Sequence, residues 1–193
     1  IRNVAVTGVL AGTGHYVGGV VGDHYNGSSL INSYARINVS AAYDYVGGFV
    51  GRNGSTATIQ NCYCAGTVTG RNLVRGFASG NSSSGISSCY YDSTIPSGLN
   101  LTETGWGEPR TTAEMLQQSN YTGWDFAAVW GINASENSGY PFLRWQGYTH
   151  ISNDATLSSL TVGGQDVMAL PNLEVSSPAE AGAELAVDDF TGF

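Results

Sequence analysis

The sequence predicts an all-β protein: a parallel β-solenoid (β-helix) of about three to four coils, with an aromatic cap containing a short helix and a C-terminal β extension. Three observations carry this. The phrase Val17-Gly18-Gly19-Val20-Val21-Gly22 returns 29 residues later as Val46-Gly47-Gly48-Phe49-Val50-Gly51, and again, degraded, as Val74-Arg75-Gly76-Phe77-Ala78-Ser79. A second phrase keeps step with it: Asn32-Ser33-Tyr34-Ala35, Asn61-Cys62-Tyr63-Cys64, then Ser88-Cys89-Tyr90-Tyr91. Between the phrases lie turn formers, among them Gly12-Thr13-Gly14, Asn26-Gly27-Ser28 and Asn53-Gly54-Ser55. Two phrases locked to one period mean stacked supersecondary units.

The repeats occupy residues 1–98. Side chains alternate across a strand. One parity holds small or apolar residues: Val4, Val6, Gly8 and Leu10; then Ser33, Ala35, Ile37 and Val39; then Cys62, Cys64, Gly66 and Val68; then Cys89 and Tyr91. This parity is expected to face inward. The other parity places Tyr34, Tyr63 and Tyr90 on an outward ladder, with rungs about 4.8 Å apart. Such a ladder can stack on sugar rings, or it can stabilise the sheet by cross-strand contacts. Cys62 and Cys89 fall at equivalent inward positions and are expected in contact, as a disulfide or as stacked thiols. Cys64 is expected buried beside Tyr91.

Residues 99–147 break the period. Thr111-Thr112-Ala113-Glu114 reads as a capping box before a short helix. Trp124, Phe126, Trp130, Tyr140, Phe142 and Trp145 follow, and this aromatic segment is expected to cap the apolar cross-section of the last coil. Residues 148–154 read as a polar linker. Residues 155–193 read as a partial β-sandwich or a strand-pairing extension, too short for a complete sandwich.

Composition narrows the function. The chain has 193 residues and a net charge of −8, and all of its basic residues are Arg. A nucleic-acid partner is not expected, because phosphate binding needs a basic stripe. No apolar run is long enough to span a membrane. Ile1 is preceded by no Met or signal-like run, so the chain is expected to be processed or part of something longer. Sequons occur at Asn26, Asn38, Asn53, Asn81, Asn100, Asn120 and Asn133. They read either as turn composition or as N-glycosylation sites of an exterior protein. No catalytic residue, metal site or cofactor motif is identified. His15, His24 and His150 are not clustered, although His15 and His24 could approach each other in the first coil. Asp23 and Asp44 lie at different phases of the repeat, so they form no stacked carboxylate pair. Calcium at Asp188-Asp189 stays open, on the weak evidence of two adjacent carboxylates. Arg36, Arg52, Arg71 and Arg75 are candidates for the basic residue that a polysaccharide lyase needs near its substrate, and otherwise read as surface arginines.

The Gly-Gly-hydrophobic-Val-Gly phrase followed by Asn-Cys/Ser-Tyr-Ala/Cys resembles the GLUG motif, found in repeats of bacterial and archaeal surface proteins such as adhesins. The resemblance covers residues 1–98, with good copies at Val17–Ala35 and Val46–Ala65. Trp124-Asp125-Phe126, Trp130 and Gly139-Tyr140-Pro141-Phe142-Leu143 resemble the segment that closes such regions. Asp154–Gly164 resembles the opening strand of a cadherin-like β-sandwich module. The resemblance implies a non-catalytic, extracellular structural or adhesive protein of the cell surface. Its expected partners are copies of itself or other surface proteins, joined by strand pairing into a filament or layer, and glycans. Two other readings stay open: a carbohydrate-binding module of a larger secreted protein, and a polysaccharide-processing enzyme.

Overall fold

The computed structural model describes residues 1–81, 85–95, 106–147, 161–162 and 165–166. It is mostly strand with few helical turns, and it divides into one unit at Ile1–Tyr148 and another at Thr149–Phe193. In the second unit, Thr161–Val162 pairs antiparallel with Gln165–Asp166. The rest of the cadherin-like stretch, and all of the linker at 148–154, lie outside the described residues.

In the first unit each repeat contributes strands to three parallel sheets. The first repeat supplies β1 (Ala5–Gly12), β2 (Val17–Gly18) and β3 (Val21–His24). The second supplies β4 (Ser29–Ala41), β5 (Val46–Gly47) and β6 (Val50–Asn53). The third supplies β7 (Thr58–Cys64), β8 (Val68–Thr69), β9 (Val74–Arg75) and β10 (Ala78–Asn81). Then come β11 (Ile86–Ser87), β12 (Tyr90–Asp92) and β13 (Glu108–Arg110). The sheets run β1-β4-β7-β12-β13, β2-β5-β9 and β10-β6-β3, with β8 beside β4 and β11 beside β7. Pairing joins equivalent residues of successive repeats: Ala5 with Tyr34, Tyr34 with Tyr63, Tyr63 with Tyr90, and Val17 with Val46 with Val74. This arrangement is compatible with a β-helix.

Stacking in register explains the glycines. A Cβ on Gly48 would lie 2.2 Å from the carbonyl oxygen of Gly76 in the next repeat, and one on Gly51 would lie 2.4 Å from the carbonyl carbon of Tyr16 in the previous one. Backbones meet there with no room for a side chain. In the third copy of the phrase the first Gly is replaced by Arg75. Its guanidinium lies over the Trp106 ring, 3.5 Å from the centroid, where chain leading into β13 replaces a further repeat.

The inward parity forms one core. Ala35, Ile37, Val39, Cys62, Cys64, Val68 and Cys89 pack with Phe49 and Phe77, whose rings stack at 4.8 Å. Alternation is interrupted once per repeat. Asn3, Asn32, Asn61 and Ser88 adopt left-handed backbone, with φ of 55°, 50°, 52° and 48°. Asn tolerates that conformation better than most residues. The interruption lets Leu30 and Ser33, three residues apart, both be buried.

The capping segment does two things rather than one. Trp106 packs against the end of the core, as an end cap should. The chain then passes through α1 (Thr112–Met115), held by the Thr111/Glu114 capping box, and folds back over the outer face of the β4-β7-β12 sheet. There Met115, Tyr121, Trp124, Trp130, Tyr140 and Leu143 cover the tyrosine ladder. Two further strands, β14 (Trp130–Gly131) and β15 (Phe142–Leu143), pair antiparallel in this layer. No helix among the described residues is long and apolar enough to cross a membrane.

Candidate binding surface

The outward tyrosine ladder is not an open surface, which corrects the expectation drawn from alternation. Tyr34, Tyr63 and Tyr90 are buried, with Tyr63 at 0% exposure. Alternation fixes which way a side chain points; it does not reveal that chain far along the sequence, 78 residues on in the case of Tyr63 and Pro141, lies on top. Tyr34 and Tyr63 stack at 5.1 Å, and Tyr140 stacks on Tyr63 at 6.1 Å. Tyr63 Oη donates to the Pro141 carbonyl at 2.6 Å and accepts from Asn137 Nδ2 at 2.8 Å. Trp124 Nε1 donates to the Ser88 carbonyl. Arg36, read as a surface arginine, donates to Asn137 and lies over the Tyr140 ring. Asp92 is buried; its carboxylate accepts from Tyr140 Oη at 2.5 Å, Thr112 Oγ1 at 2.7 Å and the Thr94 amide at 2.8 Å. Burial raises the Tyr63 and Tyr121 hydroxyls well above the usual range. Burial, with Asp92 beside it, pushes Tyr140 up to about 12. These groups join the cap to the repeats.

The cysteines are interior groups. Cys62, Cys64 and Cys89 are buried free thiols. Cys62 and Cys89 stack in adjacent strands, one residue before the paired Tyr63 and Tyr90. Burial pushes the Cys89 thiol up, and its hydrogen bond with Cys62 adds to the shift. Cys64, paired with Tyr91, donates to the Gly76 carbonyl at 2.9 Å, and burial raises its thiol too.

The sequons separate by environment. Asn26 and Asn38 are exposed, and Asn120 and Asn133 are half-buried. Asn53 is buried, which corrects its reading as a glycan acceptor: its Oδ1 lies 2.8 Å from His24 Nδ1, in the paired position of the previous repeat. The Asn81 side chain and Asn100 lie outside the described residues. His15 and His24 part company, since His24 is buried with Asn53 while His15 is exposed beside Tyr43.

An exposed aromatic surface does exist, at a different corner. Tyr16 and Tyr45 precede β2 and β5, with left-handed φ of 57° and 65° and ring centroids 4.9 Å apart. Arg52 lies over Tyr16 at 4.4 Å and reaches Tyr25 at 5.5 Å. Arg71 lies over Tyr43 at 5.4 Å, and His15 lies 5.0 Å from Tyr43 on the same corner. Each guanidinium is a fork on an acid of the preceding repeat. Arg52 Nε donates to Asp23 at 2.9 Å and Arg71 Nε to Asp44 at 3.0 Å, each with a second bond from a terminal nitrogen. The hydrogen bonds from Arg52 and Arg71 hold the Asp23 and Asp44 carboxyls below the usual carboxylate range. Among the described residues, no group of three or more His, Cys, Asp or Glu is arranged to hold a metal.

Comparison with known proteins fits the repeat. A GLUG motif is present at residues 42–69. That stretch contains Tyr43, Asp44, Tyr45 and Arg52 of the exposed corner, and the Gly47-Gly48 contact beneath it. A protein of Evansella cellulosilytica described as a Gly-rich membrane protein is 34% identical over 124 residues, covering 59% of this chain. The chain spans 14% of the length of that curated relative. No solved structure matches the chain at a significant level. The comparisons give no support to a cadherin-like module.

Proposed function

We propose that this chain is a non-catalytic module of a longer, surface-associated protein: a β-helix of GLUG-like repeats with a structural or adhesive role outside the cell. The observation that carries this reading is the residue-by-residue stacking of repeats. Buried and exposed side chains alike are spent on contacts between equivalent positions, as in Tyr34–Tyr63, Phe49–Phe77 and Asp23–Arg52. Such a structure is a rigid, extendable scaffold. The GLUG motif and a relative described as a membrane protein support a surface location. Self-association or pairing with another surface protein through strand edges is the assembly this reading expects.

The test is protease shaving of intact cells of the native host, with peptides read by mass spectrometry. Peptides from the exposed turns around Asn26 and Tyr43 are expected from unbroken cells. Their release only after lysis would refute a surface location. A turnover assay on polysaccharides separates the enzymatic rival, because product release would refute the non-catalytic reading. A carbohydrate-binding role is the second reading, favoured by the aromatic and guanidinium corner.

A further inference from the structure

We propose that the corner formed by Tyr25, Arg52, Tyr16, His15, Tyr43 and Arg71 binds a neutral polysaccharide, with sugar rings lying on the exposed tyrosines and hydroxyls bonding to the two Arg–Asp pairs. The proposal deepens the adhesive form of the reading above and rests on it.

Five features point to this ligand. Tyr25 and Tyr43 are 47% and 43% exposed, whereas the tyrosines of the covered sheet are buried. Apolar ring surface left in water gains by covering, and tyrosine offers a rigid, amphipathic face at low entropic cost. The rings are also held in place. Each guanidinium sits over a tyrosine and is fixed by a two-bond fork to a carboxylate, so little rotamer freedom remains to be lost on binding.

Hydrogen-bonding capacity remains. The bonds to Asp23 and Asp44 use Nε and one terminal nitrogen of each arginine. A guanidinium has further N–H donors, and a carboxylate oxygen can accept more than one bond. A sugar hydroxyl both donates and accepts, so each Arg–Asp pair complements it.

Charge selects a neutral ligand. Asp23 and Asp44 cancel Arg52 and Arg71 within the corner, and the whole chain carries −8. A polyanion would meet no net positive field there. Finally, the corner spans equivalent positions of successive repeats, with Tyr16 and Asp23 of the first facing Tyr45 and Arg52 of the second. These two pairs give the corner two successive rungs along which a chain-like ligand can lie.

The test is native affinity electrophoresis of the full chain in gels holding galactomannan, xyloglucan or mixed-linkage β-glucan, with polygalacturonate as the anionic probe. The expected result is retardation by at least one neutral polysaccharide. The Tyr25→Ala/Tyr43→Ala variant should bind about tenfold more weakly, two lost stacking contacts, with an unchanged circular dichroism spectrum. Trp145→Ala, which removes a 62% exposed ring on the capping segment, should bind like the wild type. The proposal is overturned by retardation that the tyrosine variant leaves intact, by retardation in polygalacturonate alone, or by none in the three neutral gels. Shaving of intact cells reads location without any glycan, so failure here is distinguishable from failure of the surface reading.

Discussion

Replacing Gly48 with alanine should destabilise the protein, because the added methyl would press on the backbone of the next repeat. The new Cβ would sit 2.2 Å from the Gly76 carbonyl oxygen, 3.0 Å from Cys64 Sγ and 3.2 Å from Val68 Cγ2. The first contact is roughly an ångström too close, and its partner is backbone. That carbonyl belongs to the next repeat and already accepts the Cys64 thiol. Relief therefore requires two repeats to separate. Overpacking of a tight interior costs about 1–3 kcal/mol, and a rigid partner puts this site near the top of the range. The loss of glycine freedom in the unfolded chain returns about 0.4–1 kcal/mol, leaving a net loss of about 2 kcal/mol. In urea, with a slope of about 1–3 kcal/mol/M, the midpoint should fall by about 1 M. Gly14→Ala is the control, because a Cβ there meets nothing within 4 Å; its midpoint should stay or rise slightly. If Gly48→Ala unfolds within about 0.3 M of the wild type, the backbones do not meet as described.

Asp92→Ala should cost about 3 kcal/mol, because it strands the Tyr140 and Thr112 hydroxyls that donate to a buried carboxylate; hydrogen exchange should speed up in α1 and at Tyr140 while β4 and β7 amides stay protected. Alkali should unfold the protein. Tyr63, Tyr121 and Tyr140 have raised native pKa values, so the stability they contribute is complete below the ordinary tyrosine value of 10.0 and is lost progressively as pH rises above it toward their native values, the lowest being Tyr140 at about 12; a denaturation series from pH 8 to pH 12 should be flat up to the ordinary tyrosine value and fall above it. In glycoprotein material from the native host, mass spectrometry should find Asn26 and Asn38 preferred over Asn53, which should be unmodified because it is buried against His24.

Much of this fold was legible because a repeat reports on itself. The Val-Gly-Gly phrase gave the period, and the parity around Tyr34 and Tyr63 gave the inward face. Three things were not legible, each for a physical reason. The left-handed backbone of Asn32 and Asn61 left no mark on the alternation, since periodicity does not encode φ. The burial of Tyr34, Tyr63 and Tyr90 depends on contacts with residues 115–143, a long-range event that a local pattern does not carry. Asn53 satisfies the sequon rule but shares its phase with His24, and that spacing was the available sign of an interior pair. The exposed corner had a signal too: Tyr16 and Tyr45 each stand directly before the Val-Gly phrase, and Asp23 and Arg52 share one position in successive repeats. Asp23 and Asp44 do not stack on each other, as expected, but each meets an arginine of the following repeat.

The stacking register is tested most directly by cross-linking across one rung. Ser29 and Thr58 are paired in adjacent parallel strands, both exposed, with side-chain oxygens 3.0 Å apart. Their Cα separation, about 4.8 Å for paired strands, suits a disulfide. The variant Ser29→Cys/Thr58→Cys should form that bond under mild oxidation, seen as a linked peptide pair by mass spectrometry. Ser29→Cys/Gln60→Cys, exposed on the same strand but two residues out of register, should remain unlinked. Efficient linkage of the second pair, or none of the first, would contradict the stacked-repeat structure.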